Sequence, residues 1–233
     1  MSGSAGVIIP AAGSGSRFGE KKQFKPLGHC PLLYYSLRTF LSVPAVREIV
    51  VVVPAADEAQ TRREIRSWTT RAGVSVTAGG ARRQDSVANG LAQLSPDCDV
   101  ICIHDAARPF VTQADIVRCL KRCAEVPAAI LATPARDTLK QVNDAGRIKK
   151  TIDRGKIWQA QTPQCFQRSV LTEALSRAEH ENRLGTDEAV LVESLGYSVV
   201  VVEGSSRNMK ITTAEDWELA LALTAYQEGQ NNE

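Results

Sequence analysis

A chain of 233 residues with 43% hydrophobic content is long enough to bury one full core, and its 28 Lys and Arg against 26 Asp and Glu leave a formal charge of only +2. That balance excludes bulk attraction to nucleic acid, so any bound anion must be held locally by a few placed cations. No apolar run approaches the ~20 residues that cross a bilayer, and the opening MSGSAG is short and uncharged, so a soluble cytoplasmic protein is expected, with neither nucleic acid nor membrane as partner.

The first predicted strand is the β-branched run at 7–9, closed by Pro10, which has no amide hydrogen for a ladder. Ala11, Ala12, Gly13, Ser14 and Gly15 follow; residues this small let several backbone N–H groups approach one anion. Such a cradle is neutral, so Arg17 and Lys22, with Lys21 and Lys25 close by, are expected to supply the charge that a polyphosphate needs. The stretch lacks the G-x-x-x-x-G-K-[ST] of a P-loop. It also departs from the dinucleotide fingerprint G-x-G-x-x-G, because Phe18 stands at its sixth position. Its length and charge suggest a lid over residues 14–25 that orders around triphosphate.

Helical spacing at 32–41 and 58–68 alternates with apolar strands at 49–53 and 74–76, after which GGARRQDS begins a helix expected at 85–94. Asp85 and Ser86 both suit an N-cap; alternatively the glycine backbone and the Ser86 hydroxyl read the edge of a base. The strand at 100–103 delivers His104, Asp105, Ala106, Ala107, Arg108 and Pro109. An acid pinned at a strand end, with alanines that leave room beside it, suits a sugar hydroxyl or a cation. The alternatives there are an Asp105–Arg108 pair that only fixes the loop and a His104 turned into the sheet. Cys119 and Cys123 share one face of a helix at 114–124 and read as packing rather than ligands, and the six cysteines include no CxxC. A strand at 128–132 precedes residues 137–153, two polar extended runs around Asn143, Asp144, Ala145 and Gly146, which read as a projecting hairpin that finds a partner. Helices at 169–178 and 187–195, a strand at 199–202, the polar loop EGSSRNMKIT with Lys210, and a helix at 214–226 complete the chain.

Continuous rather than alternating strands, separated by helices, predict an α/β domain over 1–233, its sheet mostly parallel and covered by helices on both faces. Ligands of such a sheet sit beyond the carboxyl ends of its strands. Four polar loops, at 10–25, 79–86, 104–109 and 203–212, should therefore meet on one rim. Residues 1–5 and 228–233 are expected to be flexible.

With those residues laid out, the chain resembles the sugar-nucleotide and alcohol-phosphate nucleotidyltransferases, and within them the 2-C-methyl-D-erythritol 4-phosphate cytidylyltransferase family. The motifs are PAAGSGSRF with Lys22, GGARRQDSV, HDAARP, RDT at 136–138, DRGKIWQAQTPQ at 153–164, TDEA at 186–189 and EGSSRNMKIT. The resemblance implies a Rossmann-like domain that joins CTP to an alcohol phosphate and releases pyrophosphate, with Mg²⁺ or another divalent cation held mainly by the CTP phosphates. It implies that Pro10, Ala11, Ala12, Gly13 and Gly15 hold the nucleotide, and that Arg17, Lys22 and Lys210 are catalytic. Gly80, Ala81 and Ser86 would meet cytosine, and Asp105 with Ala106 the ribose, with Asp105 also serving the acceptor alcohol. Arg108, Thr162, Thr186 and Lys210 would line the acceptor and phosphate site. Thr138 and Arg154 would act in the site of a second subunit, embraced by the hairpin arm in a homodimer. Phe18, where the family often has Met, and Arg82 are departures. A cytidylyltransferase for another alcohol phosphate such as ribitol 5-phosphate, and a non-catalytic nucleotide-sensing subunit, are the competing readings.

Overall fold

A computed structural model describes residues 4–13, 15 and 18–230. In chain order its strands are β1 (Ala5–Pro10), β2 (Pro26–Leu27), β3 (Cys30–Pro31), β4 (Val46–Val53), β5 (Val74–Ala78), β6 (Val100–Ile103), β7 (Ala128–Pro134), β8 (Leu139–Val142), β9 (Ile148–Ile152), β10 (Trp158–Gln167) and β11 (Val199–Glu203). The helices are α1 (Leu32–Leu41), α2 (Glu58–Trp68), α3 (Arg83–Gln93), α4 (Gln113–Cys123), α5 (Arg168–His180), α6 (Glu188–Ser194) and α7 (Ala214–Gln230).

Seven strands form one sheet in the order β11-β7-β10-β6-β1-β4-β5. The two faces of β1 explain its unbroken apolar run: Val7 and Ile9 pack into one core with Leu37, Phe40 and Ile116, while Ile8 packs into the other with Val87, Ile101 and Phe166. With helices on both sides, neither face of the strand meets water, so alternation disappears. Pro10 ends β1 as expected, and the amide of Ala11 returns to Val52 O at 2.7 Å.

β10 is the element that sequence patterning missed. It runs antiparallel between β6 and β7, so the sheet is mostly parallel, as expected, with this one strand reversed inside it. Its sequence WQAQTPQCFQ reads as a loop because of four glutamines and a proline, yet the strand is buried from Gln161 to Phe166. The glutamines earn that place by hydrogen bonding: Gln164 Nε2 donates to Asp187 Oδ2 at 2.7 Å and Gln161 Nε2 to Ser205 O at 2.9 Å. Pro163 sits where the ladder to β7 is irregular, between Ala160 and Gln164, the kind of interruption that tolerates a missing amide hydrogen.

β8 and β9 form a separate two-stranded ribbon inside the expected 137–153. Asn143 N donates to Arg147 O at 3.0 Å, and Gly146 takes a φ of 72° at the turn. Val142 and Ile148 are 51% and 63% exposed on it.

Ala5 opens β1 and is buried, and α7 continues through Gln230; residues 1–3 and 231–233 lie outside the described residues. One expectation about element limits needs correction. Helix α3 begins two residues before Asp85. Asp85 caps it from the third helical position, accepting the Arg82 amide at 3.1 Å. No helix among the described residues is long and apolar enough to cross a membrane.

Candidate active site

The four loops converge as the topology requires. A cavity of about 260 Å³ is walled by Pro10, Ala11, Gly13, Gly15, Lys22 and Gln23 from the first loop, Arg83 from α3, Asp105, Ala106 and Ala107 after β6, and Lys210 after β11. Arg17 and Ser14, assigned to the same cradle, lie outside the described residues.

Gln23 holds the first loop. It is buried, and its amide donates to Ala11 O at 2.8 Å and to Gly13 O at 3.2 Å, which leaves the N–H edge of the loop for a ligand. Sequence reading passed over it, because a glutamine among lysines looks like surface. Gly15 takes a φ of 71°, and a Cβ there would lie 1.8 Å from Glu20 O, so only glycine closes this turn. Lys21 and Lys25 do not serve the cavity. Lys21 pairs with Asp57 at 2.6 Å, and Lys25 pairs with Glu20 at 2.5 Å and lies over the rings of Phe18 and Trp217. Phe18 meets Trp217 at 5.4 Å between centroids, so this departure packs the loop against α7.

Gly80, Ala81, Ser86 and Ala12 do not line this cavity; Gly80 and Ala81 are exposed, and Ser86 is buried. A Cβ on Gly79 would meet Ala12 Cβ at 2.5 Å and Ser86 Oγ at 2.8 Å, so glycine is what lets the first and third loops touch. The Ser86 hydroxyl accepts from Gly80 N and donates to Arg82 O, both at 3.1 Å. Ser86 therefore holds the shape of this loop.

Asp105 is the electrostatic centre. Lys210 Nζ lies 2.8 Å from its Oδ2, Arg83 Nη2 3.2 Å from its Oδ1, and Arg108 Nε 3.9 Å from Oδ2. The anticipated Asp105–Arg108 pair is thus the longest of the three. Burial alone would raise the Asp105 carboxyl, but Arg83, Lys210 and Arg108 together hold it well below the usual carboxylate range. Arg83 is held in turn by Glu188, both of whose oxygens take Nη1 at 2.7 Å. Burial lowers the Arg108 guanidinium and raises the Glu188 carboxyl. Three cations around two carboxylates leave one positive charge at the rim, and Lys22 stands on the wall of the same cavity.

His104 is fully buried and points into the sheet against Phe40. Its Nε2 faces Arg108 O at 3.0 Å, a pure acceptor, so Nε2 carries the hydrogen and Nδ1 accepts from Thr162 Oγ1 at 3.1 Å. Burial lowers its pKa to about 4, so the ring is neutral. Thr162 also accepts from Asp105 N at 3.0 Å. Its hydroxyl is therefore committed twice within the protein, and it acts on the site through the Asp105 loop.

Two more cavities adjoin the first. One of about 150 Å³ touches Thr162, Thr186, Arg83 and Asp105, and one of about 390 Å³ lies among Thr133, Arg136, Asp137 and Gln161; Arg108 lines both. Lys210 is on the wall of all three. Arg108 donates to Asn208 O at 2.8 Å and Ala160 O at 3.3 Å, while its buried Nε has no hydrogen-bond partner. Asn208, fully buried, ties Gln161 and Thr162 O to the last loop; sequence reading missed both amides. Thr138 and Arg154 are exposed at the base of the ribbon, off these walls, and Arg154 reaches Arg136 O.

The family model described as 2-C-methyl-D-erythritol 4-phosphate cytidylyltransferase matches residues 5–225. A protein of that name from Syntrophotalea carbinolica is 44% identical over 221 residues, 93% of this chain and 94% of the relative. Another from Solibacter usitatus is 42% identical over 226 residues, 92% and 93% of the two chains. Among solved structures, 4-diphosphocytidyl-2C-methyl-D-erythritol synthase from Anaerococcus prevotii superimposes with a TM-score of 0.86 at 27% identity, over 97% of this chain and 100% of its own. The cytidylyltransferase from Thermus thermophilus does so with a TM-score of 0.80 at 33% identity, over 94% and 98%.

Proposed function

Since the chain belongs to the 2-C-methyl-D-erythritol 4-phosphate cytidylyltransferase family, we propose that it transfers the cytidylyl group of CTP to 2-C-methyl-D-erythritol 4-phosphate in isoprenoid precursor synthesis. The products are the CDP-alcohol and pyrophosphate. The observation that carries this reading is Lys210, which stands on the walls of a cavity edged by the glycine-rich loop and of a second edged by Arg108 and Arg136. Two phosphate-bearing ligands placed in them bring their reacting groups to one ammonium.

In the reaction, an oxygen of the acceptor phosphate forms a bond to the α-phosphorus of CTP as the bond from that phosphorus to the pyrophosphate oxygen breaks. Two anions approach and negative charge gathers on a five-coordinate phosphorus, so positioned cations supply most of the catalysis and no covalent nucleophile is needed. Lys22, together with Arg17, stabilises the leaving pyrophosphate. Lys210 stabilises the α-phosphate, and Arg108, on the walls of both adjoining cavities, is assigned to the acceptor side. Asp105 accepts from sugar hydroxyls, and Gly80, Ala81 and Ser86 shape the recess for cytosine.

A divalent cation neutralises triphosphate charge when bound. Among the described residues no group of three or more His, Cys, Asp or Glu is arranged to hold one, and we assign its ligands mainly to the CTP phosphates. Thr138 and Arg154 complete the acceptor site of a second copy, reached by the arm; the exposed Val142 and Ile148 on that arm favour such an association.

Phosphorus NMR of a reaction with CTP and the methylerythritol phosphate tests the transfer. The expected spectrum has the coupled pair of an unsymmetrical diphosphate beside free pyrophosphate. Unchanged CTP with bound nucleotide would favour the sensing subunit instead.

A further inference from the structure

Arg83 and Glu188 take no part in the transfer described above, yet they form an ion pair whose carboxylate is fully buried in the site. The Glu188 side chain is 1% exposed, and as a stabilising device a buried ion pair is a poor choice, since apolar residues of equal size serve as well. Their placement explains them better. Glu188 opens α6, whose start is locked by β10: Gln164 Nε2 donates to Asp187 Oδ2 at 2.7 Å, and Asp187 caps the helix at Val190 N. Glu188 therefore reaches Arg83 from a rigid base.

The two edges of the guanidinium do different things. Nη1 faces Glu188, while Nε and Nη2 face Asp105 Oδ1 at 3.3 and 3.2 Å. With Oδ1 engaged, Oδ2 is the oxygen turned toward Lys210 and the cavities. We infer that Glu188 and Arg83 are positioning residues which fix the Asp105 carboxylate so that Oδ2 faces the substrates. A planar fork joins two carboxylates at a set spacing, which a lysine ammonium does not. Glu188 acts only through Arg83, and Arg83, which also lines two of the cavities, positions Asp105.

This inference rests on the proposed cytidylyl transfer, and wild-type turnover tests that reading separately. Given turnover, the test is steady-state kinetics of Glu188→Gln, Arg83→Gln and the double variant. Each single variant is expected to lower kcat at least about tenfold with both KM values changed less than about threefold. The double variant is expected to be no slower than Arg83→Gln, because residues acting in series do not add. Arg83→Gln is also expected to move the acidic limb of kcat/KM to higher pH, since Asp105 then keeps only Lys210 and Arg108 against its burial, with His104 neutral beside it. If Glu188→Gln does not fold, Glu188→Asp replaces it, and its kcat loss is expected not to deepen when combined with Arg83→Gln. A kcat for the Glu188 variant within twofold of wild type, losses that multiply in the double variant, or an unmoved acidic limb in Arg83→Gln would each overturn the inference.

Discussion

The side of the site proposed for the nucleotide and the side proposed for the acceptor are built on opposite plans. The first loop is short in sequence and neutral along its backbone, and it is held by one buried amide, Gln23. The rim around Asp105 is a set of charged side chains drawn from α3, α6 and the last loop, with partners up to 105 residues apart. A backbone cradle fits a polyphosphate closely but brings no charge, whereas a side-chain rim carries charge and has to be held in register from behind. Arg83, Glu188, Thr162 and His104 do that holding.

The largest effect is expected where the two plans meet. Lys22→Ala and Lys210→Ala should each lower turnover at least about a hundredfold with the fold intact, the range of a lost electrostatic donor; circular dichroism and pyrophosphate release check both halves of that statement. A loss of tenfold or less in both would separate the cations from the chemistry. Gln23→Ala should act on the cradle alone. It removes two hydrogen bonds and leaves Ala11 O and Gly13 O unpaired, so CTP affinity should fall about tenfold by calorimetric titration, with acceptor affinity unchanged.

The acceptor-side scaffold has a pH signature that the cradle lacks. His104 titrates near 4 in the folded chain against 6.5 for an unperturbed ring, because burial disfavours its charged form. The unfolded chain therefore takes up this proton first as pH falls. The stability tied to neutral His104 is full above pH 6.5 and is lost progressively down to about pH 4, a contribution of about 3 kcal/mol at roughly 1.4 kcal/mol per unit. Denaturant titrations at pH 7 and pH 4 on wild type and His104→Gln should differ by that amount, and equal slopes would remove the role given to the buried ring. The smallest effect on the monomer belongs to the arm. Ile148→Asp should leave unfolding free energy within about 0.5 kcal/mol, as for most exposed positions, while sedimentation velocity shows weaker self-association. An unchanged sedimentation coefficient would detach the arm from assembly.

The same contrast governs what sequence alone reveals. The cradle was legible because its signals are contiguous: a β-branched strand, small residues, then cations. Among the described residues, six sheet strands and the seven helices were legible from periodicity, and the ribbon from its turn residues. β10 was hidden because, beside buried Cys165 and Phe166, much of its buried length is hydrogen-bonded glutamine rather than apolar side chain. The rim was legible only in part. Asp105, Arg108 and Lys210 follow strand ends, but nothing local says that Arg83 spans 22 residues to Asp105 and 105 to Glu188. One local clue existed: Arg82 is paired at i,i+3 with Asp85, which leaves the second arginine of the doublet to reach elsewhere. Thr162 was placed at the acceptor site by resemblance alone; it does line a cavity there, and the structure adds that its hydroxyl is used by His104 and Asp105.

The central claim, that two substrate cavities share Lys210 for one transfer, is tested most directly by pyrophosphate release across a small matrix of nucleotides and acceptors. CTP with 2-C-methyl-D-erythritol 4-phosphate should give the fastest release, with ribitol 5-phosphate or UTP slower by at least about a hundredfold. Faster release with ribitol 5-phosphate, or none with any pair, would contradict it.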